Sequence, residues 1–153
     1  MLNLTELIGK PLTSIHTPRI FYINGRFETE SMWLELNNEK ILLDLYFATQ
    51  EEQRDSIWTL RGNRYRGDVS KDGIFYFGGD KIQSVRCFSD SPSDEEETPK
   101  KVERVLLGLE EHGRLLVGFI QFAEGKEMFI CLDSKSVDDH LEGFVPLEDS
   151  VLV

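Results

Sequence analysis

The side chains that most often carry chemistry are few in this chain and are not spaced for it. The three histidines, His16, His112 and His140, never fall four residues apart, so no helix presents a zinc-binding pair. Cys87 and Cys131 stand far apart with no CxxC spacing, and two thiols alone make no structural zinc site. They read as two reduced, buried thiols. Nucleophile elbows of the GxSxG type, GxxxxGK phosphate loops and HExxH helices are absent. The nearest approach to acid–base chemistry is Asp138-Asp139-His140. A carboxylate beside an imidazole fixes its tautomer and stabilises the imidazolium. Neighbours in sequence rarely point at one another, however, so no catalytic residue, cofactor or metal is expected. A small acid–base enzyme built on these groups or on His16 is an alternative.

Charge says more. The 153 residues carry 17 Lys and Arg against 28 Asp and Glu, a formal charge of −11. Proteins that track phosphates or dock on anionic membranes need the opposite sign at the contact, so nucleic-acid and membrane partners are disfavoured. The one basic patch, Arg61-Gly62-Asn63-Arg64-Tyr65-Arg66, reads as a solvated loop, with an anion clamp by Arg61, Arg64 and Arg66 as the alternative. The acids are concentrated. Ser89 to Pro99 holds five carboxylates and two prolines with no apolar side chain, which predicts a mobile acidic loop over 89–101. Asp133 to Asp149 adds six carboxylates against the single cation Lys135. Clustered carboxylates select a partner by sign and speed its arrival.

These features point to a non-catalytic acidic module that binds a basic protein. The sharpest form is a small cytoplasmic inhibitor, of the immunity-protein or antitoxin kind, that neutralises a basic partner such as a nuclease toxin. A nuclease needs a cationic cleft for phosphates, and an acidic β-rich plug can occupy it. The expected contact residues are Asp133, Asp138, Asp139 and Glu142, with Phe144 or Trp33 as aromatic anchors. A homo-oligomeric adaptor, joined through open strand edges such as Arg19 to Asn24, is a further alternative.

The elements that must carry these residues are mostly strands. Leu4, Leu7 and Ile8 have helical spacing and predict a short N-terminal helix ended by Gly9 and Pro11. Strand patterns follow at Arg19–Asn24, Ser31–Leu36, Lys40–Ala48, Ile57–Arg61, Gly73–Phe77, Lys81–Phe88, Val105–Leu109, Arg114–Phe122 and Glu127–Leu132. Gly78-Gly79-Asp80 predicts a hairpin turn between two of them, and Glu110 to Gly113 another. One helical turn capped by Ser136 is expected near Asp139. The fold class is therefore mainly β, an antiparallel sandwich or rolled sheet of consecutive hairpins, in a single domain over 1–153.

Two segments also resemble each other. Leu36–Leu43 aligns with Leu109–Leu116 at an offset of 109 − 36 = 73, and Leu12–Ile15 with Ile82–Val85 at 82 − 12 = 70. Two similar meander halves, about 10–66 and 73–145, would account for both. The N-terminus has no basic region or cleavage site, and no run approaches the roughly 20 apolar residues of a membrane span. The expected compartment is the cytoplasm.

Overall fold

The computed structural model describes residues 1–49, 56–90 and 101–153. The polar stretch Gln50–Asp55 and residues 91–100 of the acidic segment lie outside the described residues. The fold is mainly β with one short α-helix. Its strands are β1 (Leu2–Asn3), β2 (Pro11–Thr17), β3 (Phe21–Ile23), β4 (Arg26–Thr29), β5 (Met32–Leu36), β6 (Glu39–Thr49), β7 (Ser56–Tyr65), β8 (Gly73–Ser89), β9 (Arg104–Leu109), β10 (Gly113–Phe122), β11 (Gly125–Cys131), β12 (Val145–Pro146) and β13 (Val151–Leu152). Helix α1 spans Ser134–Leu141.

The long sheet runs in the order β3-β4-β11-β10-β9-β8-β2-β5-β6-β7, with β12 on the end of β8. Every pairing is antiparallel. β1 and β13 pair with each other as a separate ribbon. The expected N-terminal helix is one 3-10 turn, Leu4–Leu7. Only Leu4 and Leu7 are buried there, and Gly9, at φ 89°, ends the segment before a second turn can form.

The predicted hairpin at Gly78-Gly79-Asp80 is not a hairpin. Gly73–Ser89 is one strand of 17 residues. Gly78 and Gly79 take φ of 65° and 82°, which bends the chain without reversing it. Before and through the bend β8 pairs with β2; after it, from Ile82 to Phe88, it pairs with β9. Asp80 looks like a solvated turn residue in sequence. It is buried, and it accepts the backbone N–H groups of Glu111 and His112 in the β9–β10 turn.

Two four-strand series meet on β8. In the first, β2 faces β5 as Leu12↔Leu36, slips by one residue, and resumes as Ser14↔Glu35 and Ile15↔Leu34. In the second, β8 faces β9 as Ile82↔Leu109, slips likewise, and resumes as Ser84↔Gly108 and Val85↔Leu107. The slip rephases the strand, so Ile82, Val85 and Cys87 share the core side, against a simple alternation. Past the turns the sequence offset becomes 115 − 41 = 74, because Leu36↔Glu39 closes a shorter loop than Leu109↔Gly113.

One buried cluster draws Ile15, Leu34, Ile41 and Leu60 from the first series and Val105, Leu107, Val117 and Ile130 from the second. Each such side chain contributes roughly 1.5–3 kcal/mol. A smaller cluster, Leu116, Phe129, Cys131 and Val137, joins the opposite face of β10 and β11 to α1. Among the described residues no helix is long and apolar enough to cross a membrane.

Candidate functional site

α1 carries most of the predicted contact residues. It starts at Ser134, and its cap is Asp133 rather than Ser136: the Asp133 carboxylate accepts the Ser136 N–H at 2.9 Å. That bond holds the Asp133 carboxyl below its usual range. Arg114 of β10 docks the first turns. It donates to Asp138 Oδ1 and to Ser134 Oγ, each at 2.8 Å. This hydrogen bond lowers the Asp138 pKa, yet the Asp138 side chain stays 65% exposed. Asp139 and Glu142 are exposed and make no ion pair among the described residues.

The far end of α1 is latched by Arg104 of β9. Its guanidinium is buried between the rings of Phe144, at 4.0 Å, and Phe129, at 4.8 Å. It donates to the carbonyls of His140 and Glu103, each at 3.0 Å, and of Phe119. Burial pushes its pKa down to about 10. Phe144, expected as a partner anchor, is half-buried with its ring spent on Arg104. The following loop is tied down where the Leu147 N–H donates to the Cys87 carbonyl. That loop carries exposed Glu148 and Val145. Near the same end of β8, Lys101 is shared between Glu103 at 3.0 Å and Asp90 at 3.6 Å. Burial raises the Glu103 pKa, while the hydrogen bond with Glu103 lowers that of Asp90.

The structure does not bring Asp138, Asp139 and His140 together. His140 Nδ1 donates back to the Ser136 carbonyl at 2.7 Å, Asp138 faces Arg114, and Asp139 faces outward. His112 Nδ1 donates to buried Asp80 at 2.8 Å. Burial alone would raise the Asp80 pKa; the bonds from His112 and Glu111 outweigh it and lower the value.

Sequence reasoning missed one constellation, Ser14, His16 and Glu35. His16 Nε2 lies 2.8 Å from Ser14 Oγ and 2.9 Å from Glu35 Oε2. The signal was available: Ser14 and His16 lie two apart on one strand and so share a face. A serine hydroxyl on an imidazole nitrogen resembles a nucleophile–base pair. In a triad, however, the carboxylate orients the other ring nitrogen. Here Nδ1 instead faces the Ser70 carbonyl at 3.2 Å, and Ser14 is only 2% exposed. The cluster cross-braces β2, β5 and the segment before β8.

The basic patch lies on and just after β7 rather than in a loop. Arg61 makes a two-pronged bond to Asp44 across to β6, at 2.9 and 2.8 Å, which raises its pKa. Arg64 pairs with Glu6 at 2.9 Å, and Arg66 is exposed. Trp33 is half-buried beside Tyr65, and its Nε1 has no hydrogen-bond partner among the described residues. Both cysteines are free and buried, with thiol pKa values pushed up to about 12, chiefly by burial. Among the described residues no group of His, Cys, Asp and Glu could hold a metal ion. No family model, curated protein or solved structure matches the chain.

Proposed function

We propose that this chain is an acidic, non-catalytic protein-binding module that covers a basic partner, in its sharpest form a small cytoplasmic inhibitor of a nuclease-like toxin. One observation carries the reading: where the carboxylates are matched and where they are not. On the strands Glu28, Glu35, Glu39, Asp44, Asp80 and Glu127 each face an arginine, lysine or histidine. On α1 and the loop behind it Asp139, Glu142 and Glu148 face solvent without such a partner among the described residues. The element that bears them is held at both ends, by Asp133 and Arg114 at its start and Arg104 at its finish. A charged surface fixed in place steers a partner of opposite sign at little ordering cost. The test is gel filtration of the chain from its own cell extract. We expect a complex with a basic polypeptide at low salt and the free chain at high salt. The free chain at both salts contradicts the reading.

A second reading, self-association, draws on β3. It ends the long sheet, and Phe21 and Tyr22 are 62% and 59% exposed along it. A doubled mass for the purified chain, restored to a single mass by Phe21→Lys, would favour it.

A further inference from the structure

Beside α1 the two series part and leave a groove of about 350 Å3. Its apolar lining is Ile74, Phe75, Phe77, Leu109, Leu115 and Leu132. Three features meet there. First, Gly73 to Tyr76 pair with β2 along one edge only; among the described residues the other edge has no strand partner. Four consecutive residues of that stretch, Ile74 to Phe77, line the groove. Second, the volume suits a bulky side chain or a small ligand. Third, carboxylates border the lining and offset its two basic members, His112 and Arg114. Leu132 leads directly into Asp133 and α1, and His112 follows the exposed Glu110 and Glu111. Arg114, at the groove, is already neutralised by Asp138.

We infer that this groove and the open edge of β8 receive an extended segment of a basic polypeptide, with one apolar side chain inserted and lysine or arginine on either side. The inference rests on the protein-binding reading above and names where and how the partner enters. An added strand supplies N–H and C=O groups to the open edge, and its side chains alternate between the groove and solvent. The anchor meets Phe75, Phe77 and Leu115. Its flanking cations meet Glu110 and Glu111 on one side and Asp139 on the other. An acidic segment would meet those carboxylates with like charge.

The test uses the full chain and a fluorescent heptapeptide that alternates lysine with leucine, phenylalanine and valine. Three controls accompany it: the glutamate analogue, a backbone N-methylated analogue, and decanoate for a free apolar ligand. The variants are Leu132→Trp, which plugs the groove from a position 36% exposed, and Glu111→Asn with Asp139→Asn. Unfolding midpoints establish that each variant folds. We expect saturable binding of one lysine peptide per chain, about tenfold weaker with Leu132→Trp or after N-methylation. The Asn pair should weaken binding less and flatten its salt dependence. Binding that ignores Leu132→Trp but falls with the Asn pair overturns the groove and leaves the acidic face standing. No saturable binding at millimolar peptide, or equal binding of the glutamate analogue, overturns both. Displacement by decanoate with no effect of N-methylation overturns the strand and assigns the groove to a small apolar ligand.

Discussion

The two series that meet on β8 use the same pairings to opposite ends. Register puts Lys10 of the first where Asp80 stands in the second, since Leu12 and Ile82 both precede the same slip. Each braces the turn next to it. Lys10 does so from a half-exposed position, through Glu39 at 2.9 Å. Asp80 does so from the interior, through two backbone N–H groups and His112. On the outer face the contrast widens. The first series closes its polar groups on themselves, as Ser14, His16 and Glu35 show. The second buries that face under α1, and Asp139 of that helix is exposed with no ion pair among the described residues. The same pairings thus carry one face closed on itself and one that ends in exposed carboxylates, the face proposed above for binding.

Arg104 is the sharpest point at which to break the comparison. Ser31 occupies its place in the first series, at the offset 104 − 31 = 73. Gly118 makes room for Arg104, because a Cβ there would come within 2.8 Å of its Cδ. Arg104→Met should cost about 3 kcal/mol, since three carbonyls lose the guanidinium as a donor and, among the described residues, only that of Glu103 keeps another, the Phe119 N–H. It should also speed amide exchange at the end of α1 while β5 and β6 stay protected. Ser31→Ala should change stability by less than about 0.5 kcal/mol. Equal losses from the two, read by urea unfolding, would remove the asymmetry.

Asp80 gives the next largest effect and adds a pH signature. Its folded pKa lies below the ordinary carboxylate value. Its stabilising contribution is therefore present above that ordinary value and is lost as pH falls through the lower, folded one. Asp80→Asn should lower the unfolding midpoint near neutrality and shrink this part of the acid limb, whereas Lys10→Ala should move stability by no more than about 0.5 kcal/mol. An unchanged acid limb would detach Asp80 from the turn. Ser14→Ala comes third, at about 1 kcal/mol for one buried hydroxyl, and should leave partner binding untouched. A loss of binding with Ser14→Ala would move the functional face to the first series.

Strand content and the β9–β10 hairpin were legible, because alternation and Gly turns are local signals. The course of β8 was not. A Gly-Gly-Asp run fits a reversal and a bend equally well, and which one forms depends on β2 and β9, far away in sequence. The start of α1 was misplaced for a related reason: Asp133 and Ser136 both cap well, and the Arg114 bonds that seat the first turn come from β10. The acidic character of α1 and its loop could be read directly. That Phe144 and Asp133 serve the fold, and that Ser14, His16 and Glu35 converge, depends on packing that composition does not encode.

The most direct test of the central claim is capture of partners from the native extract by tagged chain. Wild type is run beside a variant carrying Asp139→Asn, Glu142→Gln and Glu148→Gln, with washes at low and high salt. The account predicts that wild type retains one stoichiometric basic polypeptide at low salt and releases it at high salt. That variant, which leaves the Arg114–Asp138 bond in place, should fold with an unmoved unfolding midpoint and retain little of that polypeptide, because exposed charges steer association more than they stabilise the fold. Equal retention by both chains, or a partner that withstands high salt, would contradict it.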